Sequence, residues 1–250
     1  MDNSSVFWNS SVEELKKGLI EHNDSYECLL CGRKIEKGII YKEGQTFYEA
    51  SKYAELHINK VHGSVFEYII NMNNKLTGLT PQQKKLLLLF YLGKSDEEIK
   101  NKLNVGSIST IRNHRFLLKE KERQSRLFIV LMELLKQKDK YAPAIIDIHP
   151  GATMVDQRYN ITEDEFKSAM KKYFPDGREK ALNAFPKKQK HKLMVLKNIA
   201  ERFGSEKIYT EKEVNEVLKS AFEDYVTLRR YLIEYGFLDR KPDGSQYWIR

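Results

Sequence analysis

From Ser107 to Ala142 the chain contains neither glycine nor proline, a run of 36 residues. Without those breakers the stretch reads as one long helix, or as two helices with a soft joint. Within it, Leu127, Phe128, Ile129, Val130, Leu131, Met132, Leu134 and Leu135 are apolar nearly all round the helix. A helix of that kind is buried in a soluble protein, so the segment is predicted to pack against a second copy of itself or against the rest of the monomer. Both alternatives stay open at this level.

The residues ahead of this run, LTPQQKKLLLLFYLGKSDEEIKNKLNVGSISTIRNHR, begin at Leu79. Thr80 with Gln83 makes a capping box, and Pro81 suits the first turn of a helix that ends near Gly93. Ser95 caps a second helix, DEEIKNKL, and Asn104-Val105-Gly106 supplies a tight turn before a third helix starting near Ser107 to Ser109. The apolar spacing of Ile99, Leu103, Ile108 and Ile111 locks the second and third helices at the angle of a helix-turn-helix.

Those motifs, LTP, LGKSDEEI and STIRNHR, resemble the DNA-binding domain of the LuxR-type response regulators over Leu79 to about Leu118. The resemblance implies a recognition helix whose positions match Thr110, Arg112, Asn113, His114 and Arg115, with its N-terminal end in the major groove. Gln82 and Gln83 stand where that family carries an acidic residue after LTP, and the usual turn and short fourth helix are replaced by KEKERQSR running into LFIVLMELLKQK. The residue chemistry points the same way independently. Arg112 can pair with guanine O6 and N7, Asn113 with adenine or a phosphate, and Ser109 and Thr110 offer hydroxyls at a helix start. The alternative is a solvated face of an unrelated helical bundle.

Charge is concentrated in the same segment. Residues 79–138 carry 13 basic and 6 acidic side chains, and residues 184–250 carry 14 and 10, whereas residues 1–78 carry 9 and 11. Concentrated positive charge is the footprint of a polyanion binder, and a solvated lysine-rich surface gives the same count. No apolar run approaches the roughly 20 residues of a membrane span, and LLLLFYL is far too short. The start, MDNSSVFWNSSVEELKK, lacks the pattern of a secretory signal, so a cytoplasmic location and no membrane association are expected.

The only cysteines, Cys28 and Cys31, stand in YECLLCGRK, with His57 and His62 further along the chain. C-x2-C followed by glycine lets backbone amides turn around two thiolates on one ion. KGIIYKEG and QTFYEA read as a hairpin turning at Glu43-Gly44, and ASKYAELHINKVH as a helix ending at Gly63, which makes a small ββα domain. Two thiolates and two imidazoles fill a tetrahedral shell, the chemistry of a structural Zn2+. The spacing between the two pairs is about twice that of nucleic-acid-binding fingers, and the exposed helix face mixes Lys52 and Lys60 with Glu49 and Glu55. This domain therefore reads as a scaffold or partner surface.

Downstream, His149-Pro150-Gly151 is a turn, TMVDQRYNI a strand, and Thr162 with Glu165 opens a helix. His149, Asp156, Arg158 and Tyr159 are candidates for a ligand pocket, against a plain role as turn and linker. From Phe185 onward, three helices and a hairpin turning at PDGSQ have the winged-helix order. FPKK, YTEKEVN, DYVTLRRYLIEYGFLDR and DGSQYW closely resemble the uncharacterised carboxy-terminal domain of many bacterial helix-turn-helix regulators. Lys187, Lys188, Arg229, Arg230, Arg240 and Lys241 are candidates for secondary contacts to phosphates or to a partner.

The expected architecture is mainly α in four parts: an N-terminal helix with zinc knuckle over residues 1–76, the LuxR-like helix-turn-helix with a long dimerisation helix over 77–140, a linker over 141–183, and a winged-helix-like domain over 184–250. The order resembles bacterial transcription regulators. It implies a homodimer that reads double-stranded operator DNA through residues 107–116. Residues 1–78 form no alternating strand and helix pattern, so no receiver domain and no phosphorelay are expected. Two alternatives remain, a metal- or redox-responsive regulator using Cys28 and Cys31, and an adaptor contacting RNA polymerase through the acidic N-terminal part. No nucleophile with its base, phosphate loop or open metal site emerges, so an enzyme is not expected.

Overall fold

In the computed structural model of the protein, residues 3–204 and 207–250 are described, and the chain is mainly helical with small antiparallel sheets. Contacts divide it into two compact units: the residues up to Thr77 together with Ala144–Arg250, and Gly78–Pro143. No helix among the described residues is long and apolar enough to cross a membrane.

The first unit begins with α1 (Asn3–Asn9) and α2 (Val12–Lys17), the latter held by a reciprocal Ser11 and Glu14 capping box. Strands β1 (Leu19–Glu21), β2 (Ser25–Cys28) and β3 (Lys34–Glu36) form an antiparallel sheet with Leu19 opposite Cys28 and Tyr26 opposite Ile35. The expected hairpin is formed by β4 (Tyr41–Glu43) and β5 (Thr46–Tyr48), turning at Gly44 with φ 61°. Next come α3 (Ala50–His62), ended by Gly63 at φ 72°, then α4 (Val65–Asn71) and α5 (Asn74–Thr77). The hairpin and helix of the ββα reading are present, and the three-stranded sheet ahead of them is an addition. Its strands span three or four residues each, too short for alternation to register in the sequence. Ile35 is buried with Ala50 and Ala54 of α3, while Phe7, Leu29, Leu30 and Ile58 form a second small core.

The unit resumes at Ala144 with a 3₁₀ turn over Gln157–Tyr159. After it come α9 (Glu163–Tyr173), α10 (Gln189–Ala200), α11 (Glu211–Lys219), α12 (Tyr225–Glu234), β6 (Leu238–Arg240) and β7 (Tyr247–Ile249). The strand expected over TMVDQRYNI does not form. The Asp156 side chain accepts from the Arg158 amide at 3.0 Å and bends the backbone into the 3₁₀ turn, which buries Tyr159. Nor do residues 144–183 act as a bare linker. Tyr159, Phe166, Phe174 and Leu182 share one hydrophobic core with Leu196, Val214, Leu228 and Tyr247. The β6–β7 hairpin is joined by a bridge between Tyr209 and Tyr247, which ties the start of α11 to the sheet.

The second unit contains α6 (Pro81–Tyr91), α7 (Asp96–Leu103) and α8 (Ile108–Lys136). Thr80 and Ser95 form the two capping boxes, and Asn104 adopts the left-handed conformation at φ 51°, which turns the chain between α7 and α8. Leu86, Leu89, Ile99 and Ile111 form its core. α8 is one unbroken helix of 29 residues, about 43 Å long at 1.5 Å per residue. The burial expected for Leu127 to Leu135 is absent, since the eight apolar side chains are 39–69% exposed. The other elements of this unit leave the segment uncovered.

Residues 149–153 lie against the end of α12 so closely that two backbones touch. Gly236 has φ 79°, and a Cβ placed there would collide with the Gly151 carbonyl. Gly236→Ala is therefore expected to destabilise the first unit by at least about 2 kcal/mol, from a left-handed alanine added to a backbone clash. Urea unfolding measures it as a lower midpoint.

Candidate metal centre and nucleic-acid interface

β2 ends at Cys28, and the chain turns at Gly32 (φ 76°), whose amide donates to the Cys28 carbonyl at 2.7 Å. A residue with a side chain resists that conformation, so the glycine shapes the knuckle. The turn brings Cys31 beside Cys28, while α3 presents His57 and, at its last residue, His62. The four ligand atoms lie within 4.8 Å of one another, with Cys31 Sγ 3.2 Å from His57 Nε2 and Cys28 Sγ 3.6 Å from His62 Nε2. Tetrahedral bonds of about 2.3 Å to sulfur and 2.05 Å to nitrogen put such pairs about 3.5 Å apart. The cluster thus fits a single metal ion, and Cys28, Cys31, His57 and His62 lie close enough to bind one. Cys28 is buried, and both cysteines are free of disulfide.

The cluster has an unusual electrostatic setting. Cys31 donates toward Cys28, which draws the Cys28 thiol below its ordinary range, and the same contact together with burial pushes Cys31 up to about 11. Half-buried Tyr68, whose ring meets His62 edge-on at 5.8 Å, is held neutral by desolvation and by the neighbouring sulfurs. The Nδ1 atom of His57 is buried without a hydrogen-bond partner among the described residues.

In the second unit, Ser107 caps α8 by accepting from the Thr110 amide at 3.3 Å, and its hydroxyl also meets Ser109 Oγ at 2.7 Å and Thr110 Oγ1 at 3.0 Å. Ser109, Arg112 and Asn113 are exposed. Their spacing of three and four residues puts them on one face of the helix. Arg112 carries no ion pair among the described residues, while Thr110 and His114 are half-buried at the edges of that face. Arg115 sits differently. It pairs with Asp96 at 2.9 Å and lies 3.7 Å over the Phe90 ring, so it braces α8 against α7 and α6. Sequence spacing could not distinguish the two arginines, because Asp96 and Phe90 are remote in the chain.

The secondary candidates divide in the same way. Lys187, Lys188, Arg230, Arg240 and Lys241 are exposed. Arg229 is held by Glu211 and by Asn215, each at 2.6 Å, and its side chain is only 17% exposed, which makes it a tie between α11 and α12. The four residues suggested for a ligand pocket are engaged with one another and with the end of α12, His149 and Tyr159 lying 5.9 Å apart ring to ring. Arg158 pairs with Asp156, holding that carboxyl down to about 2, and donates to the Tyr235 hydroxyl at 3.0 Å. His149 is buried, stacked on Phe237 at 3.8 Å, with Nε2 3.1 Å from the Tyr235 carbonyl oxygen. Of the four, His149 alone borders the cleft of about 1150 Å³ in the first unit, together with Cys31, Arg178 and Arg250. Sequence reading missed that cleft, since its walls come from both ends of the chain.

Residues 181–249 match the model of a bacterial family described as an uncharacterized protein conserved in bacteria (DUF2087), and that domain is present here. No curated protein and no solved structure matches the chain.

The cluster geometry makes two outcomes expected. The purified chain takes up one divalent transition-metal ion, measured by elemental analysis and by the ligand-field bands of a cobalt(II) titration. Cys28→Ser loses more affinity than the roughly 10- to 100-fold that removal of an outer hydrogen-bond partner costs. Absence of metal uptake by the wild type would count against the site. Arg115→Ala, by contrast, is expected to lower the stability of the second unit by about 1 kcal/mol, a half-exposed ion pair being discounted for solvent screening. Thermal melting reads that loss.

Proposed function

We propose that the protein is a sequence-specific DNA-binding transcriptional regulator of the LuxR-like helix-turn-helix kind, acting as a homodimer and carrying Zn2+ as a structural ion. The observation that carries this reading is the exposed face of Ser109, Arg112 and Asn113 at the start of α8, directly after the left-handed turn at Asn104. Arg112 is the base reader, because a guanidinium without an internal partner keeps its planar fork for guanine. Ser109, Thr110, Asn113 and His114 supply hydroxyl, amide and imidazole contacts to phosphate or base edges. Arg115 supports them from behind through Asp96 and Phe90. The positive excess of residues 79–138 attracts the duplex irrespective of sequence.

Two thiolates and two imidazoles leave no open position for water, which favours zinc in a structural role. The homodimer rests on the exposed apolar segment of α8, which water does not tolerate as a free surface of that size. The DUF2087 domain, with three helices followed by a hairpin, is read as a winged helix, and its exposed Lys187, Lys188, Arg230, Arg240 and Lys241 hold a further stretch of phosphate backbone. A second reading, metal or redox control of DNA binding, draws on Cys31, which is half-exposed and borders the cleft of the first unit.

Mapping of bound genomic fragments in about 150 mM salt tests the reading. The wild type enriches a defined sequence, and Arg112→Ala loses that preference at a cost of about 1 to 3 kcal/mol while keeping weak nonspecific binding. No enrichment by the wild type sinks the specific regulator and favours an adaptor that contacts RNA polymerase. An unchanged map for Arg112→Ala removes the base-reading role. Chelation that abolishes DNA binding while the fold persists supports the metal-responsive reading.

A further inference from the structure

The second unit leaves two apolar surfaces uncovered. The first is a groove of about 450 Å³ between α6 and α8, floored by Leu79, Leu87, Phe90 and Leu118, with Lys119 and Glu122 on its rim and Ser125 at its far end. The second is the segment 127–135 on the same helix, whose apolar side chains stand 39–69% exposed. Along α8 the groove runs from Arg115 to Ser125, about 15 Å, and the segment covers about 12 Å. The two surfaces match in length and chemistry. A chain cannot bring them together by itself, because α8 continues unbroken from Ile108 to Lys136 and carries the segment beyond the end of its own groove.

We propose that residues 127–135 of one copy seat in the α6–α8 groove of a second copy, and the reverse, so that two α8 helices lie antiparallel about an axis near Ser125. The inference rests on the homodimer reading above and supplies its interface. Three observations favour this arrangement over direct pairing of the two segments about Leu131. A helix that is apolar nearly all round is poorly covered by a single partner helix, and the groove offers two walls. The seating also brings Leu135 toward exposed Phe116, and Glu133 toward Lys119 and Lys121 of the other copy. Finally, an axis at Ser125 sets the two Arg112 residues about 39 Å apart along the helices, near the roughly 34–36 Å between half-sites one turn apart, whereas an axis at Leu131 gives about 57 Å.

Cross-linking in the full-length protein tests the axis. Light scattering first establishes the molar mass of the wild type. Ser125→Cys, at an exposed position facing the groove, is expected to give a disulfide-linked dimer as its main product under mild oxidation. Leu131→Cys stays mostly unlinked, and the wild type serves as the control for Cys28 and Cys31. Leu87→Glu is expected to weaken dimerisation at least tenfold with an unchanged helical circular dichroism signal. A wild-type dimer in which Ser125→Cys fails to cross-link overturns the groove interface and leaves the homodimer reading standing. A monomeric wild type removes both.

Discussion

Four side-chain atoms, two sulfurs and two imidazole nitrogens, converge within 4.8 Å of one another in a stretch of chain that has little else to fold around. Cys28 and His62 are separated by 34 positions, and the cores on either side of the cluster contain only a handful of buried residues each. Strands of three or four residues are marginal by themselves, and small cores of this kind need a staple. Seating α3 on the knuckle also positions the segments on either side of it. Trp8 donates to the Ile148 carbonyl at 2.6 Å and Asn73 to the Thr153 carbonyl at 2.6 Å, so the N-terminal part is docked on residues 148–153. Metal binding at such a site is coupled to folding, because the unfolded chain does not offer four ligands within one coordination sphere.

That docking makes the first unit discontinuous in sequence. Residues 148–153 are pressed between the N-terminal part and α12, with His149 stacked on Phe237 and the Gly151 and Gly236 backbones in contact. A stretch that reads as a linker is thereby a structural layer. The second unit leaves this body at Gly78 and the chain returns to it at Ala144, so the unit is an insertion with both ends in one fold.

Within the inserted unit, a single rigid helix carries both the exposed polar face at Ser109 to Asn113 and the apolar segment at 127–135. Whatever covers the apolar segment therefore sets the position of the polar face, since an unbroken helix transmits displacement without a hinge. Helices of this length bend gently and break at glycine or proline, neither of which occurs here. The proposed dimer and the proposed reading of DNA are in that sense one mechanical problem.

Features governed by neighbours in sequence were legible before any fold was known. Thr80, Ser95, Thr162 and Thr210 each cap the helix that begins one residue later, because a hydroxyl needs only the amide three residues ahead. The hairpin at Gly44 and the turn at Asn104 were equally local in origin, whereas the two histidines were legible through the ligand spacing of each pair. The tertiary structure was needed to assign partners. Arg112 and Arg115 look alike in STIRNHR, and Arg229 and Arg230 look alike in TLRRYL. Asp96 with Phe90 takes Arg115, and Glu211 with Asn215 takes Arg229, leaving the other two exposed. The seam at Gly151 likewise depends on a group far away in the chain, Gly236. Hydrogen-bond patterns over three or four residues are written in the sequence itself, whereas the capture of a charge or the burial of a loop is decided by whichever distant surface arrives beside it.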